Sequence, residues 1–371
     1  MRIIDLKLRT FRNYDKLEIS FNNRLNVIIG NNAQGKTNIL EAIYFLSITK
    51  SIFSVSDRNC IKFDNLFSRI DANIEYDNGV KNKLTVIIDE NNKKLLLNDN
   101  EVRKHSNFIG ILKTVIYNPD NIILIKDAPV NRRKFLNIEI SQLYGRYIIL
   151  LNEFNIVLKQ RNEYLKCIKV GRNNQIYFNI LNDKFIKLSC EIYKYRIDFI
   201  NRINKYIGKI YKKISGYSGL SISYVPNFEY DDLDGLREKL KNKIDKSYDR
   251  EVLYGNSLVG PHRDDFIFNL DGKNLLLYGS QGQLKLAIIA LKLAEIDVFS
   301  EVCGEYPVLL LDDLFSELDV SKRNRIIRYL NRNIHIFVTT TDLNNIDKEF
   351  LKNAQVYKIK SGCLIKNTRR K

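Results

Sequence analysis

The segment at 30–37, which reads GNNAQGKT, has the residue types and spacing of a phosphate-binding loop. It fits the pattern G-x-x-x-x-G-K-[ST], follows the apolar run RLNVIIG and precedes a helical run at 38–46. Glycines let a backbone curl until its N–H groups face phosphate oxygens, and a helix N-terminus adds positive potential. The alternative is a chance glycine-rich turn, but strand, spacing and helix together favour binding of a nucleoside triphosphate.

Two side chains of this loop have predicted chemical roles. The Lys36 ammonium can reach the β- and γ-phosphates and is a predicted catalytic residue, while the Thr37 hydroxyl can ligate Mg²⁺. The predicted nucleotide contacts in the loop are Gly30, Asn31, Asn32, Ala33, Gln34, Gly35, Lys36 and Thr37.

A second motif, late in the chain, supports the first. Four apolar residues at 308–311 run directly into two carboxylates, Asp312 and Asp313. Such a run is typical of a central parallel strand that is buried on both faces and presents the acids at its carboxyl end. Asp312 is predicted to hold Mg²⁺ with Thr37, and Asp313 to orient or deprotonate the attacking water. Taken alone, two acids after a strand usually mark only the start of a loop.

The stretch Gly279-Ser280-Gln281-Gly282-Gln283 resembles the L-S-G-G-Q signature of ABC-type ATPases, with Gln281 in place of the first glycine. The segment at 316–319 resembles the D-loop of the same superfamily. In that superfamily the signature reaches the γ-phosphate held by the other subunit. The resemblance therefore implies ATP as cofactor and an ATP-sandwiched homodimer, with Ser280, Gly282 and Gln283 contacting ATP. Ser280 can also be an ordinary helix N-cap, and both roles are compatible.

Three further segments narrow the resemblance. The stretch from Asn118 to the paired Arg132-Arg133 looks like the part leading into the arm of chromosome-maintenance ATPases. Together with FRNY at 11–14, GPHRDD at 260–265 and a length of 371 residues, it resembles the RecF family of recombination-mediator ATPases. That family is similar to chromosome-maintenance heads but has a short helical arm. The motifs run from 12 to 341, so the resemblance covers nearly the whole chain.

The resemblance implies a clamp on DNA at single-strand gaps and single-strand/double-strand junctions, with slow DNA-stimulated ATP hydrolysis. It also implies RecR and RecO as partners in loading the recombinase, and a role in the SOS response. The sequence departs from related ATPases at three positions. Thr340 stands where many ABC ATPases have His, Asp313 replaces the commoner Glu, and Phe53 stands where a basic residue is expected.

Two other residues are weaker candidates. His262 lies in a polar turn, where it can contact a ligand or make a local hydrogen bond. Arg12 can touch phosphate by family analogy or be an exposed arginine at a strand end. No cluster of His, Cys and Asp has the spacing of a zinc site.

Composition limits the class of protein. The chain has a hydrophobic content of 44%, enough for a substantial core, and a net charge of +17. Its apolar runs are far shorter than the roughly 18 residues of a membrane span, and its N-terminus lacks the apolar part of a signal peptide. The five cysteines are scattered without a C-x-x-C pair, which favours reduced thiols. We expect a soluble, basic, cytoplasmic protein without a membrane partner.

The positive charge has two interpretations. It can be background from overuse of Lys, Asn and Ile, or it can indicate an anionic partner. Between 139 and 215 there are fifteen Lys and Arg against six Asp and Glu, and this concentration favours nucleic acid. Lys209, Lys212 and Lys213, with Tyr206 and Tyr211 between them, are predicted to follow a phosphate backbone without reading base sequence.

The elements that must position these motifs alternate between strand and helix. Alternating or apolar runs predict strands at 83–89, 94–97, 113–117 and 336–340, with Ile3–Leu8 as an edge strand. Apolar residues with a period of about 3.6 predict helices over 143–157 and 181–210, joined as an antiparallel hairpin. The predicted fold class is α/β, a P-loop ABC-type ATPase head formed by 1–122 and 254–371, with an inserted α-helical arm domain at 123–253.

Two other functions remain open at this stage. The chain can be the ATPase subunit of a transporter, although such subunits lack a basic insertion and need a membrane partner. It can also be a non-hydrolysing scaffold whose nucleotide is structural. ATP turnover measured with and without DNA separates the three.

Overall fold

A computed structural model describes residues 1–54, 56–172, 174–229, 235–330 and 332–369. The strands are β1 Arg2–Phe11, β2 Tyr14–Ser20, β3 Leu25–Ile29, β4 Phe67–Glu75, β5 Lys81–Asp89, β6 Lys93–Leu97, β7 Asn100–Glu101, β8 Thr114–Tyr117, β9 Leu220–Val225, β10 Asp265–Leu270, β11 Lys273–Asn274, β12 Val308–Asp312, β13 Ile336–Thr340, β14 Ala354–Lys360 and β15 Cys363–Arg369. The helices are α1 Lys36–Ile48, α2 Ile123–Lys126, α3 Pro129–Leu143, α4 Gly145–Lys169, α5 Gln175–Ser215, α6 Leu236–Tyr254, α7 Leu275–Tyr278, α8 Gln281–Cys303, α9 Val320–Leu330 and α10 Lys348–Leu351. None of these helices combines the length and the apolar composition that crossing a bilayer requires.

The chain forms two compact units. The first contains residues 1–122, 209–217 and 285–371, and the second contains residues 123–208 and 218–284. The last turns of α5 thus cluster with the first unit, and residues 254–284 cluster with the second. The predicted functional domains, a head formed by 1–122 and 254–371 and an arm formed by 123–253, are defined differently from these compact units and stay a prediction.

A six-stranded sheet in the first unit has the order β15-β14-β3-β13-β12-β8. Strands β14, β3, β13, β12 and β8 are parallel, and β15 is antiparallel to β14. In β12 the residues from Val308 to Leu311 are all buried, as expected for a strand covered on both faces. Parallel strands end at one common edge, so the ends of β3, β12 and β13 bring their following residues together. The predicted α/β fold class is confirmed.

A second sheet of the first unit is antiparallel, with the order β2-β1-β4-β5-β6-β7. The prediction of an edge strand at Ile3–Leu8 was wrong, because β1 pairs with both β2 and β4. Alternation in β1 reflects one buried and one exposed face of the sheet, which an interior strand of an antiparallel sheet also has.

The second unit is mainly helical. The rings of Phe154 and Phe185 lie 5.5 Å apart and those of Tyr147 and Tyr195 lie 5.2 Å apart, so α4 and α5 pack antiparallel. The helix predicted over 143–157 is in fact two helices. Leu143 ends α3, and Tyr144 has extended backbone angles before α4 begins.

Two motifs far apart in sequence meet within the second unit. The Arg132 guanidinium donates to both carboxylate oxygens of Asp265, at 2.5 and 2.9 Å. Arg133 donates to the backbone oxygen of Asp264 at 2.8 Å. The paired arginines on α3 thus hold the GPHRDD segment, with an ion pair that is largely buried.

His262, in the same segment, has the local role that the sequence left open. It is largely buried, one ring nitrogen lies 3.0 Å from the backbone oxygen of Ser257, and the ring packs beside Phe154 and Phe185. Burial lowers the pKa of His262 to about 4. The imidazole is therefore neutral at pH 7 and stabilises the turn.

His335, in the first unit, makes stability pH-dependent. Its Nδ1 accepts a hydrogen bond from the backbone N–H of Ile3 at 2.9 Å, and burial lowers its pKa to about 3. In the unfolded chain the His335 side chain takes up a proton near pH 6.5. The contribution of His335 to stability is therefore complete above that pH and falls as the pH decreases below it. We expect the thermal midpoint to fall between pH 7.5 and 5.0, and to fall less in His335→Gln, which has no proton to gain. An equal fall in both proteins would contradict this assignment.

Candidate nucleotide-binding site

The loop between β3 and α1 has a backbone that only its own residue types allow. Gly35 has φ of 102°, a conformation that favours glycine. A Cβ on Gly35 would lie 2.6 Å from the Asn13 amide, and one on Gly30 would lie 2.5 Å from the backbone oxygen of Ile359. A side chain at either position would therefore collide with its neighbours in the folded protein.

Two segments that sequence reasoning did not connect to the loop hold it in place. The Asn13 amide donates to the backbone oxygen of Gln34 at 3.1 Å, and the Tyr14 hydroxyl donates to that of Gly35 at 2.9 Å. From the β14–β15 turn, the backbone N–H of Ser361 donates to the Gln34 side-chain oxygen at 2.6 Å. The FRNY segment thus supports the phosphate-binding loop. Its resemblance to a family motif did not predict this structural role.

Lys36 lies across the mouth of the loop. Its ammonium donates to the backbone oxygens of Gly30 and Asn31, both at 2.8 Å. Burial lowers the pKa of Lys36, and the carboxylates of Asp312 and Asp313 oppose that shift. The ammonium is thus placed beside the acid pair, where phosphate oxygens can accept its hydrogen bonds instead of the two carbonyls.

Thr37 and Asp312 meet as the sequence predicted. The Thr37 hydroxyl lies 2.9 and 3.1 Å from the two carboxylate oxygens of Asp312. Burial raises the pKa of Asp312, while hydrogen bonds from Thr339 and Thr37 lower it. A carboxylate and a hydroxyl are oxygen ligands of the kind Mg²⁺ prefers, so this pair fits the metal.

Asn118 lies at the same edge of the sheet. It follows β8, in which Tyr117 is the register partner of Leu311, the residue before Asp312. The side-chain oxygen of Asn118 is buried and has no hydrogen-bond partner among the residues the structure describes. It is therefore available as a further oxygen donor to a metal or a water.

Asp313 begins the turn after β12 with φ of 48°, in the left-handed region. Its backbone N–H donates to the Thr339 hydroxyl at 3.0 Å. Its Oδ1 is buried and makes no hydrogen bond within the described part of the chain. The carboxylate thus keeps an acceptor free, as its predicted role toward water requires.

Thr339, rather than Thr340, contacts the acid pair. The Thr339 hydroxyl donates to Asp312 Oδ1 at 2.6 Å and accepts from the Asp313 backbone. The Thr340 hydroxyl instead donates to the backbone oxygen of Asp342 at 2.9 Å. The register of β13 beside β12, with Thr339 opposite Asp312, decides this and is not visible in the sequence.

Thr339→Val should weaken metal-dependent nucleotide binding. The substitution removes a hydrogen bond to a charged acceptor, which contributes about 1.5–3 kcal/mol, and leaves the shape of the side chain nearly unchanged. We expect at least a tenfold increase in the Mg²⁺ concentration needed for half-maximal ATP turnover. Thr339→Ser, which keeps the hydroxyl, should behave like the wild type, and an unchanged Mg²⁺ requirement in the Val variant would contradict this role.

The signature segment begins α8 in the second unit. The Ser280 N–H donates to the Gln283 side-chain oxygen at 2.8 Å, and the Gln283 N–H donates to the Ser280 hydroxyl at 3.3 Å. This reciprocal pair is a capping box. A Cβ on Gly282 would meet no atom within 4 Å, so nothing within the described residues requires glycine there. Lys126 donates to the Gln281 side chain at 2.8 Å.

Arg12 is neither exposed nor free. Its guanidinium donates to both carboxylate oxygens of Glu41 on α1, at 2.7 and 2.5 Å, and only 21% of the side chain is exposed. The Ser51 hydroxyl donates to the same carboxylate at 2.5 Å. Arg12 thus fixes the FRNY segment to the helix that follows the phosphate loop.

A phosphate loop after one parallel strand, and a Thr–Asp pair formed with another, define the head of a P-loop ATPase of the ABC type. The chain belongs to the RecF family and matches the RecF/RecN/SMC N-terminal domain over residues 2–364. A head domain of Smc from Pyrococcus furiosus shares the fold, with a TM-score of 0.55 at 16% identity.

The similarity to RecF proteins extends over the whole chain. The DNA replication and repair protein RecF of Halalkalibacterium halodurans is 38% identical over 370 residues, 99% of this chain and 100% of that protein. The protein of the same name from Bacillus subtilis is 35% identical over 371 residues, with 99% and 100% covered. A solved structure of the recombination mediator RecF with ATP has a TM-score of 0.90 at 31% identity, with 99% of this chain and 97% of that chain covered.

Proposed function

We propose that this protein is an ATP-dependent DNA-binding protein of recombinational repair and replication restart. It acts in the cytoplasm as an ATP-sandwiched dimer, a clamp at single-strand gaps and single-strand/double-strand junctions. The observation that carries this proposal is the Thr37–Asp312 pair beside the phosphate loop, in a chain whose full-length relatives are DNA replication and repair proteins.

The loop residues bind and orient the triphosphate. Backbone N–H groups after Gly30, between 31 and 37, bind the β-phosphate, and Lys36 binds the β- and γ-phosphates. Thr37 and Asp312 hold Mg²⁺, which neutralises charge on the phosphates when it is bound. Asp313 accepts a hydrogen bond from the attacking water, and Thr339 keeps both acids in place. The short Asp313 side chain is consistent with slow turnover, and stimulation of that turnover by DNA is part of the same proposal.

The signature residues complete the nucleotide site of a second copy. Gly282 and Gln283 lie in the first turn of α8 and Ser280 caps it, at a helix end where N–H groups and the helix dipole favour an anion. Glycine within a helix costs about 1 kcal/mol relative to Ala, and no contact of Gly282 in the described structure explains it. Close approach of a γ-phosphate from the partner subunit accounts for the missing side chain.

DNA is the macromolecular partner, and its phosphate backbone is the part that is bound. Lys209, Lys212 and Lys213 are all exposed at the end of α5. Tyr211 is fully buried and cannot stack on a base, so the predicted aromatic contribution from it was wrong. RecR and RecO are the expected protein partners in recombinase loading and the SOS response. The reason is that the solved structure similar to this chain is that of a recombination mediator protein of the RecFOR pathway.

Reversing three charges at the end of α5 should weaken DNA binding. Lys209→Glu, Lys212→Glu and Lys213→Glu together are expected to reduce affinity at least tenfold and to flatten the salt dependence by roughly one unit per lost phosphate contact. The measurement is a fluorescence titration of gapped DNA at several salt concentrations. An unchanged slope would exclude these lysines from the DNA surface.

Two measurements test the proposal as a whole: sedimentation with gapped DNA, with and without ATP, and ATP turnover with and without DNA. Co-sedimentation of an ATP-dependent dimer with DNA supports it. Turnover that is insensitive to DNA, without DNA binding, would indicate the transporter alternative, and neither turnover nor DNA binding would indicate a scaffold. Either of these two results would overturn the proposal.

A further inference from the structure

A lysine from α2 lies at the signature segment. The ammonium of Lys126, the last residue of α2, donates to the side-chain oxygen of Gln281, the first residue of α8, at 2.8 Å. Both side chains are exposed. Gln281 stands where the ABC-type signature has glycine, which has no side chain that could accept this hydrogen bond. The departure from the signature therefore holds a positive charge at the start of α8.

This charge is unfavourable where it lies. The N-terminus of a helix carries a partial positive charge, which attracts anions and repels cations. The first turn of α8 contains no acid, and Lys126 forms no ion pair with any residue that the structure describes. The neighbouring Asp127 is engaged elsewhere, since its carboxylate accepts from the Ala128 N–H at 2.7 Å and from the Asn131 amide at 2.8 Å. An anion that arrives at the start of α8 would remove the repulsion.

The end of α2 does not need the lysine for its own stability. Arg132 donates to the backbone oxygens of Leu124 and Asp127, at 3.2 and 2.7 Å, and so satisfies the carbonyl groups at this helix end. The same guanidinium binds both carboxylate oxygens of Asp265. The residue that carries the ammonium is thus held in a fixed place, as a group that acts on a bound substrate requires.

The signature segment is held equally firmly. A Cβ on Gly279 would lie 2.5 Å from the backbone oxygen of Leu275 and 2.7 Å from the side chain of Leu284, so no larger residue fits there. The capping box of Ser280 and Gln283 orders the next turn. The ammonium and the free N–H groups of α8 therefore form one preformed surface for an anion.

The proposed nucleotide site has a use for a further cation. Lys36 is the cation that the phosphate loop supplies. Thr340 stands where many ABC ATPases have His, and its hydroxyl donates to the backbone oxygen of Asp342. In other nucleotide hydrolases a cation supplied in trans stabilises the charge on the transferred phosphoryl group and accelerates hydrolysis by about 10³- to 10⁵-fold.

We propose that Lys126 is a catalytic residue that acts in trans: in the ATP-bound dimer its ammonium donates to the γ-phosphate held by the partner subunit. This rests on the proposed function and adds a cation to the contacts of Ser280, Gly282 and Gln283. The ammonium exchanges a neutral amide oxygen for a charged acceptor, and the new hydrogen bond strengthens as charge develops on the phosphoryl oxygens.

Lys126 transfers no proton in this step. Water adds to the γ-phosphorus, the bond to ADP breaks, and the proton of the water leaves through Asp313. The lysine acts by its charge alone, so another cation of similar reach can replace it.

The first experiment separates charge from shape. Lys126→Met keeps most of the side-chain volume and removes the charge, whereas Lys126→Arg keeps the charge. Without DNA and at saturating ATP, we expect kcat to fall at least tenfold in the Met variant and to stay within about threefold of wild type in the Arg variant. The thermal midpoint should not change, because the side chain is exposed.

The matched control is Lys134→Met, which removes the same charge from an exposed position on α3 and should keep wild-type turnover. Wild-type kcat in Lys126→Met would overturn the inference. So would an equal loss in Lys126→Arg, since the shape of the side chain rather than its charge would then be required.

A mixture of two inactive variants tests whether the lysine acts on the partner's site. Lys126→Met and Asp313→Asn proteins are combined before ATP is added. In a mixed dimer one of the two sites has Asp313 from one copy and Lys126 from the other. Turnover should therefore return to about a quarter of the wild-type value when copies pair at random. No recovery would place the lysine in the site of its own subunit and overturn the inference.

A second mixture, of Ser280→Arg and Asp313→Asn, tests the sandwich dimer without involving Lys126. Recovery in this mixture, together with wild-type kcat in Lys126→Met, would overturn the inference alone. No recovery in it, or a wild-type protein that stays monomeric in ATP, would overturn the proposed dimer and the inference with it.

Discussion

Asp313→Asn is expected to reduce ATP turnover by at least about 100-fold while ATP remains bound. The amide keeps the shape of the side chain but cannot accept a proton from water. The substitution leaves the Lys36 contacts and the Thr37–Asp312 pair in place, so the affinity for ATP should be nearly unchanged. If ATP joins two copies, this variant should accumulate as an ATP-bound dimer that size-exclusion chromatography detects directly.

Lys36→Ala is the matched control for this experiment. It removes the ammonium that spans the loop, and it should abolish ATP binding, turnover and dimerisation together. A monomeric Asp313→Asn protein in saturating ATP would contradict the sandwich dimer. Wild-type turnover in that variant would show that another group activates the water.

The largest effect on stability is expected from Arg161→Met in the second unit. Arg161 is fully buried and donates at 2.6 Å to Asn182, Ser257 and Glu251. It joins α4 to α5, to α6 and to the turn after α6. Met fills a similar volume but leaves Glu251 as a buried charge without its cation. We expect the free energy of unfolding to fall by about 3–5 kcal/mol.

The double variant Arg161→Met, Glu251→Met tests the cause of that loss. It removes both charges, so part of the stability should return, and urea unfolding of the single and double variants measures the difference. Lys194→Met is the surface control, because its ion pair with Glu191 is exposed on both sides and should contribute at most about 1 kcal/mol. A loss at Arg161 no larger than at Lys194 would contradict a structural role for the buried pair.

Local features of the chain were predicted well. The phosphate loop, the apolar strand that ends in Asp312 and the long period-3.6 helix each depend on residues close in sequence, whose spacing fixes the backbone. The Thr37–Asp312 contact was also predicted, although the residues are far apart in sequence. Thr37 lies in the first turn of the helix that follows one parallel strand, and Asp312 ends another parallel strand. Because the carboxyl ends of parallel strands lie at one edge of the sheet, both residues were expected at that edge.

Features that depend on register were not predictable. Whether Thr339 or Thr340 faces Asp312 depends on a shift of one residue between β12 and β13, and such a shift exchanges the two faces of a strand. Likewise, nothing in the sequence aligns Arg9 with Lys16, Arg69 and Lys94, because cross-strand partners are set by the packing of the whole sheet.

The sequence by itself determined which groups can do chemistry: a lysine and a threonine after two glycines, and two acids after a buried strand. It also determined the fold class and the family. Only the tertiary structure decided which side chains support those groups, namely Asn13 and Tyr14 under the loop and Thr339 between the acids. The physical reason is that hydrogen bonds between distant segments depend on three-dimensional register and packing, which local spacing does not encode.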